Sequence, residues 1–360
     1  MTFSCGYFKK LKCYEWRREG KTMSEEHFIV IGNGPAGHHA AVTLRLEAPG
    51  ARITLISKEP HGCYRPHLLP KWISGNIKEE ALYVCPVEQY KNMAIKLRSG
   101  QKVIALNPGQ KELILDHKEV LRFSGLIIAV GGKPRIPEPL LIFKDVLFTL
   151  KRLEDARVWR DEISRVDSVL MMGGDLTSLA VTKALLGLGK KVTFMVNEEA
   201  FWPLRWSLSL FEEMSHRLRQ KGVEVLADQR VKGITRKGER DYEVQVGRQT
   251  VRCGMIGAFF GLTPDVRFLA GSGLRLDRGI LVDEYLNTGF KGVYATGDCA
   301  QIYHPALRDY WVSVGHDNAV ELGRTAALNL VGNTVKAEAA GKCIFEAQGI
   351  KINTSWWTEF

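Results

Sequence analysis

The segment 27–60 opens with an unbroken apolar run, Phe28–Ile31, and then changes period. A glycine-rich turn follows, then a helical pattern to about Glu47. Ala48-Pro49-Gly50 breaks that helix, and a second apolar run occupies Arg52–Ser57. Strand, turn, helix and strand in this order predict a βαβ unit. A second unit starts near Asp167: strand Ser168–Met172, the turn Gly173-Gly174, a helix to about Leu188, and strand Lys191–Val196. Between the units, Lys102–Asn107 and Glu112–Asp116 read as paired strands, and Gly125–Val130 as a strand buried on both faces. Beyond the second unit, strands are expected near Val223–Leu226, Tyr242–Val246, Thr250–Cys253 and Gly292–Ala295, and a helix over 316–331. Two such units predict an α/β chain with two Rossmann-like dinucleotide-binding domains.

The first turn carries Gly32-x-Gly34-x-x-Gly37, with Pro35 and Ala36 between the last two glycines. The motif sits between a strand and a helix, the context that gives it meaning. Gly32 permits a tight exit from the strand. Gly34 lets backbone approach a pyrophosphate, and Gly37 lets helix pack on strand. The helix N-terminus then faces the negative charge. An acid after the second strand is expected to bind an adenosine ribose, and Glu59 stands there.

Composition narrows the class. The chain has 360 residues, 45% hydrophobic and 25% charged, ordinary for a globular protein of two or three domains. No apolar run is long enough to span a bilayer. The net charge of +10 is not organised into a block, so no nucleic-acid tail is expected. Lys9, Lys10, Lys12, Arg17, Arg18 and Lys21 crowd the first 22 positions, which read as a dispensable extension ahead of Met23. Seven cysteines without a CxxC pair argue against a disulfide scaffold or a zinc ribbon, so no metal is expected and a cytoplasmic location is.

Three later segments carry a family resemblance. Leu126-Ile127-Ile128-Ala129-Val130-Gly131-Gly132 resembles the second flavin-domain motif of the two-dinucleotide-binding flavoproteins. Gly292-Val293-Tyr294-Ala295-Thr296-Gly297-Asp298 resembles their late strand ending in Gly-Asp. Tyr64-Arg65-Pro66-His67-Leu68-Leu69-Pro70 resembles the flavin-side loop of the NADH-dependent rubredoxin, ferredoxin and nitrite reductase branch. From about residue 27 to 332 the chain is therefore similar to the FAD-dependent pyridine-nucleotide oxidoreductases. The resemblance implies an FAD domain over 23–150 and 266–332, an inserted NAD(P)-binding-like domain over 151–265, and a short tail over 333–360.

It also implies roles. Gly32, Gly34 and Gly37 would cradle the FAD pyrophosphate and Glu59 the ribose. Arg65 and Pro66 would lie near the flavin, with Ala129, Gly131 and Gly297 around it. Asp298 would accept a hydrogen bond from the ribityl chain, and Gly173 and Gly174 would turn under NAD(P)H. The implied activity is electron transfer between NAD(P)H and an acceptor, an iron–sulfur or other redox protein, through a non-covalent flavin. No motif sets an oligomeric state.

Two departures qualify the expectation. Where the disulfide-reducing relatives carry a cysteine beside the flavin, this chain has His67, so a redox disulfide is not expected and His67 is the one candidate to tune the flavin. The second glycine turn has Asp175, Ser178 and Ala180 where the family pattern has glycine, glycine and glutamate. Asp175 would repel phosphates. The alternative reading is therefore an FAD-containing electron-transfer subunit with a degenerate NAD(P)H site.

Overall fold

The computed structural model describes residues 25–196, 208–227, 229–305, 308–313, 315–338, 344–347 and 349–353. The extension 1–22 and the Trp356-Trp357 end lie outside the described residues. The elements that position the site begin with β1 (His27–Ile31), α1 (Pro35–Glu47), β2 (Arg52–Ser57), α2 (Leu69–Ile73), β3 (Ile95–Ser99) and β4 (Gly125–Ile128). They continue with α3 (Leu153–Ile163), β5 (Ser168–Gly173), α4 (Leu176–Gly187), β6 (Lys191–Val196), α5 (Leu208–Gln220), β7 (Glu224–Ala227) and β8 (Met255–Phe259). The chain then returns through β9 (Val293–Ala295) to α6 (His316–Leu330).

The first sheet runs β9-β4-β1-β2-β3, with every pair parallel. All five residues of β1 are buried, as a parallel strand covered on both faces requires; that is why Phe28–Ile31 is a solid apolar run. The second sheet, β7-β6-β5-β8, is also wholly parallel. In each half a three-stranded antiparallel ribbon comes before the last-named inner strand. Val103–Asn107, Glu112–Leu115 and Val120–Arg122 precede β4, and Val231–Gly238, Asp241–Val246 and Gln249–Cys253 precede β8. The two halves share one architecture, and the second is inserted into the first.

The chain leaves and re-enters the first half along one antiparallel pair, Gly132–Pro134 with Leu262–Pro264. Ile136, Phe143 and Val146 already pack, with Leu140, on the core of the second sheet and its ribbon. These side chains join the second half ahead of residue 151, where the sequence reading divides the domains. Two features carried no sequence signal strong enough to read: β3, which closes the first sheet, and a small sheet of Ile280–Val282, Ala300–His304 and Asp309–Val312.

A second core joins the halves. Leu69, Trp72 and Ile73 of α2, with Leu82, cluster with Leu153, Ala156 and Trp159 of α3 and with Leu179 and Leu185 of α4. The helix α1 packs on α6, and Gly323 makes this possible: a Cβ there would lie 2.2 Å from the Ala36 carbonyl oxygen.

Candidate functional site

The site is built at the C-terminal ends of the first sheet's strands, where ligands of open α/β sheets collect. At the end of β1, Gly32 adopts φ +106°, which turns the chain into α1. Its backbone N–H donates to the Ile56 carbonyl at 2.7 Å, fixing the turn against β2. Gly34 is the N-cap of α1; it offers no side chain to the helix, and a Cβ there would meet nothing within 4 Å. Pro35 takes a position where a missing N–H costs nothing, and the first turn holds no acid. The free amides of α1 therefore face open space.

That space is a cleft of about 690 Å³, within the range of cofactor sites. Of the sequence candidates, Gly32, Gly34, Pro35, Ala36, Glu59, Pro66, Ala129, Gly131, Gly297 and Asp298 line it. So does Ala319 in the first turn of α6, whose N-terminus is thereby directed at the cleft. Asp298 is held by Lys151, whose Nζ lies 3.2 Å from Oδ2. Glu59 accepts from the Tyr64 hydroxyl at 2.9 Å, and the same hydroxyl accepts from the Leu153 N–H at 3.1 Å.

Five candidates lie off this lining. Gly37 works inside the fold, where a Cβ would sit 1.8 Å from the Gly32 carbonyl oxygen. Arg65 spends its guanidinium on the Tyr83 and Ala81 carbonyls at 3.1 and 3.4 Å, anchoring its own loop. His67 packs against His316 with ring centroids 4.4 Å apart and the rings tilted by 54°. Crowding by protein atoms first, and the neighbouring His316 second, push His67 down to about 4. Desolvation holds His316 at about 4 as well. Both rings are neutral near pH 7, which removes His67 as a source of positive charge. Gly173 and Gly174 belong to the second half.

Several lining residues escape sequence reasoning. Lys58 reaches across the cleft to Asp265, with Nζ to Oδ2 at 2.7 Å, pairing residues 207 positions apart. Lys102, Lys133 and Arg267 add positive charge around the same opening. Asn33, the variable position of the glycine motif, accepts from the Tyr90 hydroxyl at 2.6 Å. The buried His38 ring lies 2.7 Å from that hydroxyl through Nδ1. Since Tyr90 donates to Asn33, His38 donates to Tyr90. No local pattern marks these residues, because each pairing is made by the fold.

Comparison with known proteins agrees with this geometry. The family model for pyridine nucleotide-disulphide oxidoreductases matches residues 26–327. The chain belongs to that family. It is similar to putidaredoxin reductase of Pseudomonas putida, 28% identical over 88% of this chain and 77% of that protein. It is similar also to rubredoxin-NAD(+) reductase of Ectopseudomonas oleovorans, 24% identical over 90% of this chain and 85% of that protein. Among solved structures, the covalent putidaredoxin reductase–putidaredoxin complex shares the fold, with a TM-score of 0.81 at 24% identity, covering 91% of this chain and 80% of that one.

As a member of this family the protein is an FAD-dependent oxidoreductase, and its residues fit the cofactor. An uncapped helix N-terminus behind a side-chain-free Gly34 suits a pyrophosphate. Glu59 and Asp298, at the ends of two strands, suit the hydroxyls of a ribose and a polyol. When bound, FAD supplies the two-electron and one-electron chemistry. The chain holds it, orients it and sets its electrostatics.

Among the described residues no thiol lines the cleft. Cys63, Cys85, Cys253 and Cys299 are buried and unpaired. Burial raises all four thiols, Cys85 to about 12 and Cys253 and Cys299 to about 11, so none is a thiolate near neutral pH. Among the described residues no group of His, Cys, Asp or Glu is placed to hold a metal, and no helix is long and apolar enough to cross a membrane.

Proposed function

We propose that this chain is a reductase that exchanges electrons, through FAD, with a small iron–sulfur redox protein, with NAD(P)H as the second redox partner. The observation that carries this reading is the cleft itself: a glycine-turn cradle in whose lining, among the described residues, no thiol stands. A flavin without a dithiol hands electrons on directly, which suits a one-electron protein acceptor better than a disulfide. The names of the relatives, reductases of putidaredoxin and of rubredoxin, support the same partner class. Four buried, unpaired cysteines are in keeping with residence in a reducing cytoplasm.

The second reading, an electron-transfer subunit that draws little on NAD(P)H, is favoured by Asp175 alone. Anaerobic mixing separates the two. Purified holoprotein is mixed with NADH or NADPH while flavin absorbance is followed, and the dithionite-reduced protein is then mixed with a [2Fe–2S] ferredoxin or a rubredoxin. Rapid reoxidation by the iron–sulfur protein is expected. Reoxidation by a small disulfide instead, with no response to iron–sulfur proteins, would overturn the proposal.

A further inference from the structure

The chain contains two glycine turns of the same shape, and they differ at one position that decides what each can bind. Gly32 and Gly173 both end a strand at φ +106°. A Cβ on either would strike the carbonyl of a neighbouring strand end, Ala129 at 2.2 Å and Phe259 at 1.8 Å. Two residues on, each helix has an extended N-cap, Gly34 with φ −77° and ψ −174°, and Asp175 with φ −67° and ψ 168°. The backbones correspond; the side chains do not.

At α1 the N-cap leaves the amides free. At α4 the Asp175 carboxylate folds onto them. Its Oδ1 accepts from the Ser178 N–H at 2.9 Å, and its Oδ2 accepts from the Gly261 N–H at 3.2 Å. The rest of the turn is also committed: the Gly174 and Asp175 N–H groups donate to the Phe259 carbonyl at 2.9 and 3.4 Å. Ser178 occupies the position matching Gly37 and ties its hydroxyl to the Asp175 carbonyl at 2.6 Å. A carboxylate of the chain thus already takes the Ser178 N–H of the helix N-terminus and stands where a pyrophosphate would approach.

We propose that Asp175 fills the anion seat of the second glycine turn, so that this chain binds pyridine nucleotide only weakly there. A dinucleotide entering this turn would have to displace two hydrogen bonds and place phosphate beside a carboxylate, and like charges in one site are disfavoured. The inference rests on the FAD-reductase reading for the choice of pyridine nucleotide as ligand, but the filled seat stands on the turn geometry alone.

The test measures binding rather than turnover. Holoprotein is titrated with NAD⁺, which does not reduce the flavin, and heat release gives the affinity of wild type, Asp175→Asn and Asp175→Gly. Asparagine keeps a capping oxygen and removes the charge; glycine restores the first turn's chemistry. Flavin content and melting temperature confirm that each variant is folded, and Asp175→Asn carries the test if the glycine variant is not. The expected result is weak wild-type binding that tightens by about tenfold or more in both variants. Micromolar wild-type binding that either variant leaves unchanged or weakens overturns the proposal. Electron exchange with a [2Fe–2S] ferredoxin is followed in the same samples. Its absence, beside a positive NAD⁺ result, would strike the proposed function and leave the Asp175 assignment in place.

Discussion

Gly32 has φ +106° and no room for a Cβ, whereas Gly34 has an ordinary φ and open space where a Cβ would go. Substitutions at the two positions should therefore fail differently. Gly32→Ala combines a left-handed backbone with a clash on Ala129 and should cost roughly 3 kcal/mol of stability. Gly34→Val should fold with a melting temperature near that of the wild-type apoprotein and carry no flavin, which absorbance after purification reads directly; a fully yellow Gly34→Val protein would remove the cradle from the site. The sequence makes the spacing of these glycines readable, and also Glu59 and Asp298 at strand ends. It does not distinguish a glycine that serves the ligand from one that serves packing, nor show that Arg65 is spent on carbonyls. Those distinctions depend on atoms far away in the chain. The same holds for His38, which sequence alone leaves unremarked. Burial lowers it to about 4 while its Nδ1–H supports the Tyr90–Asn33 link to the glycine turn. Its folded value lies below the unfolded value of about 6.5, so the unfolded chain takes up a proton first as pH falls. His38 should therefore contribute nothing pH-dependent above neutrality and a loss of about 2 kcal/mol between pH 7 and pH 5. Urea midpoints at the two pH values should show the loss, and His38→Gln should flatten part of it; His39, held at about 3, His67 and His316 titrate in the same sense and account for a remainder.

Helix α1 meets α6 at Gly323, and both helices aim their first turns at the cleft. The approach is close enough that Gly323→Ala should force them apart by overpacking, costing on the order of 2 kcal/mol and weakening FAD retention with it. Thermal melts with and without added FAD would register both effects, and an unchanged melting temperature with full flavin would show that the crossing tolerates a methyl group. At this scale the sequence is most legible. The apolar runs of β1, β2, β4, β5 and β6 stand out because parallel strands are buried on both faces. The strand β3 does not, since Lys96, Arg98 and Ser99 interrupt its apolar residues Ile95 and Leu97 at the sheet edge. The crossing pair Gly132–Pro134 and Leu262–Pro264 is equally hidden: each is three residues long, and only the partner makes it a strand.

The two halves look like separate nucleotide-binding modules in sequence, but their packing joins them. Leu69, Trp72 and Ile73 belong to a loop and short helix of the first half, yet they are buried in a cluster whose other members include Leu153, Trp159 and Val169. The Arg160 guanidinium lies 4.9 Å from the centre of the Trp72 ring and covers its outer side. Ion pairs add to the seam at Lys151–Asp298 and Arg157–Glu79, and a hydrogen bond at His61–Glu154, but pairs this near the surface contribute little. The apolar cluster is what couples the halves, so wild-type holoprotein should unfold in one calorimetric transition in which flavin release and loss of secondary structure coincide. Trp72→Ala removes a large buried side chain at the centre of the seam and should cost about 3–5 kcal/mol of that coupling. Trp72 lies outside the first sheet's cluster but shares its own with Val169, Met171 and Phe194 of the second sheet, so the change loosens the second half along with the seam. The variant should therefore show two transitions, the lower one without flavin release if the second half unfolds first. Two transitions already present in wild type would refute the coupling, and a single transition merely shifted downward in Trp72→Ala would show that the remaining contacts along the seam suffice to hold the halves as one unit.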